Sequence, residues 1–205
     1  MPAGELARAL LSPASVALVG ASGDPAKTTA RPQRYLKIHG FQGRVIPINA
    51  TRDELLGERA WPDLKSAPGP IDHAYIMVPA AAVADVVRDC CACGVKVATI
   101  FSDGFAEAGA EGIERQREIL AIARFSGLRL LGPNSMGVIN VHTRMPITVN
   151  AFLDAGALVK GGVGVISQSG TVLGTLLSRG QARGLGFSKL VSVGNEADLG
   201  VGEIA

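Results

Sequence analysis

The stretch Val16-Ala17-Leu18-Val19-Gly20-Ala21-Ser22-Gly23 decides the fold. Four apolar residues stop at a glycine, and a second glycine follows three places on. A short continuous apolar run bounded by turn residues is the pattern of a strand buried on both faces, as in parallel sheets. A strand that turns on glycine into a helix leaves free N–H groups and the positive end of the helix dipole aimed at one spot, a natural anion site. The pattern returns at Gly161-Gly162-Val163-Gly164-Val165-Ile166-Ser167-Gln168-Ser169-Gly170-Thr171, which reads as a short buried strand, then Ser-Gln-Ser-Gly, then a helix. Two phosphate-type junctions within 205 residues suggest a protein that handles a phosphorylated ligand and a phosphate as well.

Working outward, apolar runs predict strands near 15–19, 44–48, 72–78, 95–101 and 128–131. Helical patterns lie between them near 28–39, 80–93 and 110–126. This alternation predicts an α/β chain with a Rossmann-like, doubly wound parallel sheet. The second strand leads instead into a loop, Asn49 to Pro70, with a short helix expected at 53–57. Residues 132–160 break the rhythm: Gly132-Pro133-Asn134-Ser135 is a turn signature, and an irregular stretch is expected after it. Strand, helix (171–183) and strand (187–193) then resume. A boundary near 145–160 gives a first unit of 1–150 and the beginning of a second, flavodoxin-like α/β unit at 151–205. About 50 residues is short for a free-standing α/β domain, so the second unit is expected to be part of a larger one or to complete its core against a partner.

Composition narrows the function classes. Hydrophobic residues make up 47 % and charged residues 19 %, a globular chain with ample core. Aromatics are only 4 %, and abundant small residues suit helices packed close on a parallel sheet. A net charge of +2, without a basic stripe and interleaved aromatics, speaks against nucleic acid. No apolar run approaches the roughly 20 residues of a membrane span. Glu5 and Arg8 precede only a short apolar stretch, and Val16 to Val19 reads as a strand rather than a signal core, so a cytoplasmic protein is expected.

Chemical residues outside the two junctions read as structural. Cys90, Cys91 and Cys93 contain a C-x-x-C, but they precede Gly94 at a helix end with no second ligand pair. They are expected to fill a helix–sheet seam, and no metal site is expected. His39, His73 and His142 are isolated, with structural or surface roles. Ser169 fails the nucleophile elbow, since Ser167 and Thr171 stand where glycines belong; an N-cap serine fits instead.

The first glycine loop is not a nicotinamide-dinucleotide fingerprint. Gly-x-Gly-x-x-Gly is not met, and the second strand ends at Asn49 where an acid would hold the ribose. From Lys27 to Arg52 the chain carries Lys27, Arg31, Arg34, Lys37, Arg44 and Arg52 with no acid among them. Such a surround favours a ligand with several phosphates; a solvated helix face beside a plain turn is the alternative.

Five further stretches then fall in order: Val45-Ile46-Pro47-Ile48-Asn49 with Leu56-Gly57-Glu58-Arg59-Ala60-Trp61-Pro62; Met77-Val78-Pro79; Phe101-Ser102-Asp103-Gly104-Phe105-Ala106-Glu107; Gly132-Pro133-Asn134-Ser135-Met136-Gly137; and Ser167-Gln168-Ser169-Gly170-Thr171. In that order they resemble the NDP-forming acyl-CoA synthetases, the superfamily of succinyl-CoA synthetase α-subunits and ADP-forming acetyl-CoA synthetases. The resemblance runs from about residue 10 to the C-terminus. It implies a CoA-binding Rossmann-like domain followed by the start of a flavodoxin-like ligase domain. By that resemblance Gly20, Ala21, Ser22 and Gly23 cradle CoA phosphates, and Asn49 flanks the nucleotide. Arg52 stands near where the family often has Lys, as a replacement at a phosphate. Val78 and Pro79 pack on the ligand, and Ser102, Gly104 and Phe105 line the next strand end. Asn134, Ser135 and Met136 sit near the pantetheine thiol, and Ser169 and Gly170 hold phosphate at a helix N-terminus.

The family's chemistry passes phosphate from ATP to a histidine, then to a carboxylate, and CoA displaces it from the acyl phosphate. The resemblance places the phosphohistidine outside this chain, leaving it no catalytic residue. ATP and Mg²⁺ enter through an ATP-grasp domain or subunit, and a small carboxylic acid is the co-substrate; an oligomer is possible. The chain by itself is expected to bind CoA without completing the cycle. A CoA-responsive regulatory module, for example coupled to an acyltransferase, is the alternative, and an NAD(P)-dependent oxidoreductase a more distant one. In the family a stretch like Asn195-Glu196-Ala197-Asp198 begins a helix, so Asp198 is expected as its cap, with a role near the phosphate site the alternative.

Overall fold

The computed structural model describes residues 1–155 and 157–205. Helix α1 (Ala3–Leu11) leads into β1 (Ser15–Val19), a 3-10 turn (Thr28–Ala30) and α2 (Arg31–Ile38). Then follow β2 (Arg44–Ile48), the two-residue strands β3 (Glu54–Leu55) and β4 (Glu58–Arg59), β5 (His73–Ile76), α3 (Ala80–Ala92), β6 (Val97–Ile100), α4 (Ala110–Ser126) and β7 (Arg129–Leu131). The chain continues through β8 (Gly137–Asn140), β9 (Met145–Thr148), β10 (Lys160–Ser167), α5 (Gly170–Gln181), β11 (Phe187–Ser192) and α6 (Val201–Ile204).

The first sheet has the order β2-β1-β5-β6-β7, and every neighbouring pair is parallel. Its strands read as unbroken apolar runs because both faces are covered. In β1, Val16 and Leu18 pack with Leu10 of α1, Leu36 of α2 and residues of the second sheet. Ala17 and Val19 pack on the other face with Val83 and Val87 of α3 and Ile119 of α4. Cys90 is buried in that second seam, and burial pushes its thiol pKa up; all three cysteines are free. Among the described residues no helix is long and apolar enough to cross a membrane.

Three expectations are corrected. The short helix at 53–57 is a β3–β4 hairpin turning through Leu56 (φ +52°) and Gly57 (φ +83°), the paired positive φ that matches strand twist. The stretch 132–160 is not irregular: β8 and β9 pair antiparallel and join the second sheet, ordered β10-β11-β8-β9. Their turn has no glycine to announce it. Asn140 Oδ1 accepts instead from the His142 and Thr143 N–H groups (3.1 and 3.3 Å), and Arg144 takes φ +56°. Since β8 and β9 precede residue 150, the second sheet draws on both sides of the expected division. Finally, β10 is largely exposed rather than buried, because among the described residues it forms the edge of its sheet with only β11 beside it.

A buried histidine links folding to pH. His73 of β5 is fully buried, with Nε2 2.7 Å from Thr99 Oγ1 on β6. Burial pushes its pKa down to about 4, the nearby Ala9 and Leu10 backbone pulling weakly the other way. The folded state favours the neutral ring, so this stability is present above the unfolded value near 6.5 and is lost as pH falls through about 4. The expected loss is about 3 kcal/mol. Urea unfolding at several pH values checks it: His73→Leu should flatten the fall between pH 6.5 and 4 relative to the parent chain. Parallel slopes would refute it.

Candidate functional site

With all five strands of the first sheet parallel, the loops leaving their C-terminal ends share one edge. The chain leaves β1 toward β2 on one side, whereas β5 joins β1 on the other, so a crevice opens above β1 and β5. Gly20 closes β1 with φ +85°. A Cβ there would lie 3.1 Å from the Met77 carbonyl and 3.1 Å from Val78 Cγ1, so both the backbone angle and the space require glycine. Gly23 lies against Leu55 of the hairpin.

Asn49 staples two loops together. Its Nδ2 donates to Ala21 O (2.9 Å), and its Oδ1 accepts from the N–H (2.9 Å) and hydroxyl (3.0 Å) of Thr51. Both ends of the amide are thus used, a task an acid could not perform because it has no donor. Ser22 Oγ accepts from Asp24 N–H (3.1 Å), tightening the turn. The Ala21 and Gly23 N–H groups have no backbone acceptor among the described residues. A cleft of about 380 Å³ lies between these loops, with Lys27 and Arg52 at its rim. Among the described residues neither cation has a carboxylate partner.

The other expected cations point away. Arg31 donates to Val149 O (3.1 Å), Arg34 pairs with Asp154 (2.9 Å), and Lys37 faces Glu58 (3.8 Å). Arg44 caps Pro70 O (2.6 Å) at the opposite end of the sheet. The basic surround therefore shrinks to two side chains, because the periodicity of α2 turns Arg31, Arg34 and Lys37 to other faces and Arg44 lies at the start of β2.

The next loops are joined edge to edge. Ser102 Oγ donates to Val78 O, tying the loop after β6 to the one after β5. Pro79 caps α3 from an exposed position. Gly104 has φ +88°, and a Cβ on it would lie 3.2 Å from Ala80 Cβ. The Phe105 side chain is fully buried in the core under α3 and α4, so it presents no face to the crevice. Ser135 is buried too; its Oγ donates to Ser192 O (2.5 Å) and accepts from Gly137 N–H (3.1 Å). Asn134 remains exposed, with φ +56°.

Met136 ties β5 and β9 to the second glycine junction. Its carbonyl accepts from Tyr75 OH (3.2 Å) and Thr148 Oγ1 (2.6 Å), and its side chain lies over Gly170, where a Cβ would overlap it. The N-terminus of α5 is thereby drawn to the same edge. Ser169 caps that helix, its Oγ accepting from Val172 N–H (3.3 Å). Asp198 is not a cap: its carboxylate accepts from Arg129 Nε (2.9 Å) and Leu130 N–H (2.8 Å), and α6 starts later, after Gly200. Lys27 and Glu107 are the site neighbours that spacing did not single out; charge count flagged the first, and Glu107 sits in a stretch quoted for its glycine and aromatic. A larger hollow of about 530 Å³, beside Arg34, His39 and Arg144, lies between α2 and the β8–β9 turn. It shares no lining residue with the cleft at the glycine loop.

Comparison with known proteins agrees with this geometry. The model of the CoA binding domain matches residues 14–141, and that of the succinyl-CoA ligase like flavodoxin domain matches residues 160–205. The chain is 36% identical over 194 residues to Acetate--CoA ligase [ADP-forming] II of Archaeoglobus fulgidus, covering 94% of this chain and 28% of that protein. It is 37% identical over 188 residues to Acetate--CoA ligase [ADP-forming] II subunit alpha of Pyrococcus furiosus, covering 92% of this chain and 40% of that one. Its fold superposes on the apo form of dinucleotide forming Acetyl-coenzyme A synthetase 1 of Ca. Korarchaeum cryptofilum with a TM-score of 0.90 at 37% identity, over 97% of this chain and 42% of that chain. The chain thus spans well under half the length of these relatives. A Rossmann-like sheet whose loops converge on one edge, matched along 14–141, makes this chain a member of the CoA binding domain family, continuing into a succinyl-CoA ligase like flavodoxin domain.

Proposed function

We propose that this chain is the CoA-binding part of an NDP-forming acid–CoA ligase. The observation that carries the reading is the convergence of the Gly20–Gly23 loop, Asn49, Lys27 and Arg52 on one cleft at the edge of the first sheet. The free N–H groups of Ala21 and Gly23 suit a diphosphate, and Lys27 and Arg52 supply two cations for the remaining phosphate charge. Asn49, Val78 and Pro79 flank the nucleotide, while Ser102 and Gly104 line the next strand end. Asn134 and Met136 are the residues nearest the thiol; Phe105 and Ser135 act beneath them as support. Ser169 and Gly170 hold phosphate by the helix dipole and N–H groups, which need no titrating side chain. In this reading 1–150 carries the CoA site and 151–205 the phosphate-facing junction. A small carboxylic acid, ATP with Mg²⁺, and an ATP-grasp domain or subunit complete the reaction, in an assembly of one or more copies.

Calorimetry tests the reading. CoA should bind at about 1:1, with dephospho-CoA, NAD⁺ and NADP⁺ as controls. Arg52→Ala should weaken CoA about 10- to 100-fold, the worth of one charge-assisted hydrogen bond. Binding of NAD(P)⁺ with no heat from CoA would overturn it.

A further inference from the structure

Glu107 lies in the 3-10 turn Ala106–Ala108, in the loop that leaves the C-terminal end of β6. Its Oε1 accepts from the N–H groups of Gly104 (2.6 Å) and Phe105 (3.1 Å). Its other oxygen accepts from the side-chain amide of Asn195, which lies 88 residues away in the turn after β11. Gln116 of α4 braces the same place: its Oε1 accepts from Asn195 Nδ2 (3.2 Å) and Ala106 N–H (3.4 Å). Arg115 holds Gly104 O from the other side (3.1 Å). Adjacent N–H groups at a positive-φ glycine form an anion nest, and here the chain's own carboxylate fills it. Burial pushes the Glu107 pKa up, but the hydrogen bonds from Asn195, Phe105 and Gly104 outweigh this and hold it below the usual range.

The path continues past Asn195. The Asn195 N–H donates to Pro133 O (2.9 Å), beside Asn134. The next residue, Glu196, accepts from the Gln168 side chain and from Val201 N–H (2.9 Å). Gln168 immediately precedes Ser169, the cap of α5. Gly194 (φ +57°) and Glu196 (φ +51°) hold this turn in left-handed backbone, and a Cβ on Gly194 would overlap Pro133 O. The turn is held there only while its neighbours over-determine it.

We propose that Glu107 is a positioning residue that makes CoA at the strand edge felt at the N-terminus of α5, by holding the loop after β6 and the Asn195 turn as one unit. This rests on the reading that CoA occupies that edge. With one oxygen held by each loop, displacing either loop breaks charge-assisted hydrogen bonds to the same carboxylate, so the two loops shift together.

Amide hydrogen exchange on the 205-residue chain, with and without CoA, tests it. In the parent chain CoA should slow exchange at 20–23 and 49–52, and also at 168–172 and 193–201. Glu107→Gln should keep the first protection and lose the second, because an amide cannot accept with both ends. Asn195→Asp, which sets a second carboxylate against Glu107, should give the same loss from the other side and serves if the first variant does not fold. Protection confined to 20–23 and 49–52 in the parent chain overturns the proposal and leaves the CoA site standing. Remote protection that survives in both variants also overturns it. No CoA protection anywhere removes the CoA site and the proposal together.

Discussion

Ser22→Glu is expected to abolish detectable CoA binding while leaving the thermal unfolding midpoint of the chain unchanged. Ser22 is half-buried in the first glycine loop, and its hydroxyl does no more than accept one local hydrogen bond from Asp24 N–H. A glutamate there sets a negative charge beside the N–H groups that the proposed function assigns to a diphosphate. Two like charges about 4 Å apart at an effective dielectric of ~20 repel by about 4 kcal/mol. That is on the order of a 1000-fold loss in affinity. Ser22→Ala removes the hydroxyl without adding charge and should weaken CoA by less than about 10-fold. Calorimetry and a melting curve on the same samples separate the outcomes. If Ser22→Glu binds CoA like the parent chain, the phosphates do not sit in this loop. If it melts far below the parent chain, the loop is structural first.

Gly137→Val should be the most destabilising single change in the strands, costing about 3 kcal/mol or more. Gly137 opens β8 with φ +103°, which valine resists strongly. A Cβ would also overlap the carbonyl oxygen of Ile147 on β9, next to Gly137's ladder partner Thr148. That atom is backbone, so no rotamer change relieves the clash. Met136, whose carbonyl receives Tyr75 and Thr148, immediately precedes Gly137, so the damage should spread toward α5. Gly57→Ala is the control, for Gly57 also has positive φ but open space around it. It should lose only the left-handed penalty of about 1 kcal/mol. Urea midpoints that are equal for the two variants would show that space at Gly137 does not matter.

How far the fold could be foreseen depends on the kind of signal each element carries. The strands near 15–19, 44–48 and 97–100 are legible because burial on both faces leaves unbroken apolar runs. The β8–β9 hairpin is not, since its turn rests on the Asn140 side chain and a left-handed Arg144 rather than on glycine or proline. The β3–β4 hairpin is masked because Leu56, a helix-former, takes a positive φ. At the site the glycine loop, Asn49 and Arg52 are visible as types at fixed spacing. Phe105 and Ser135 look equally eligible in sequence, and only the tertiary structure buries them.

The sequence by itself determined the alternation of strands and helices, the two glycine junctions, and the family, because these rest on local periodicity and on short ordered motifs. Tertiary structure alone decided which cations reach the cleft, since Arg31, Arg34, Lys37 and Arg44 find partners elsewhere. It alone put β8 and β9 beside β11, Met136 over Gly170, and Glu107 against Asn195. Such pairings join residues far apart in the chain, and no local pattern encodes which distant partner will satisfy a buried amide, carbonyl or carboxylate.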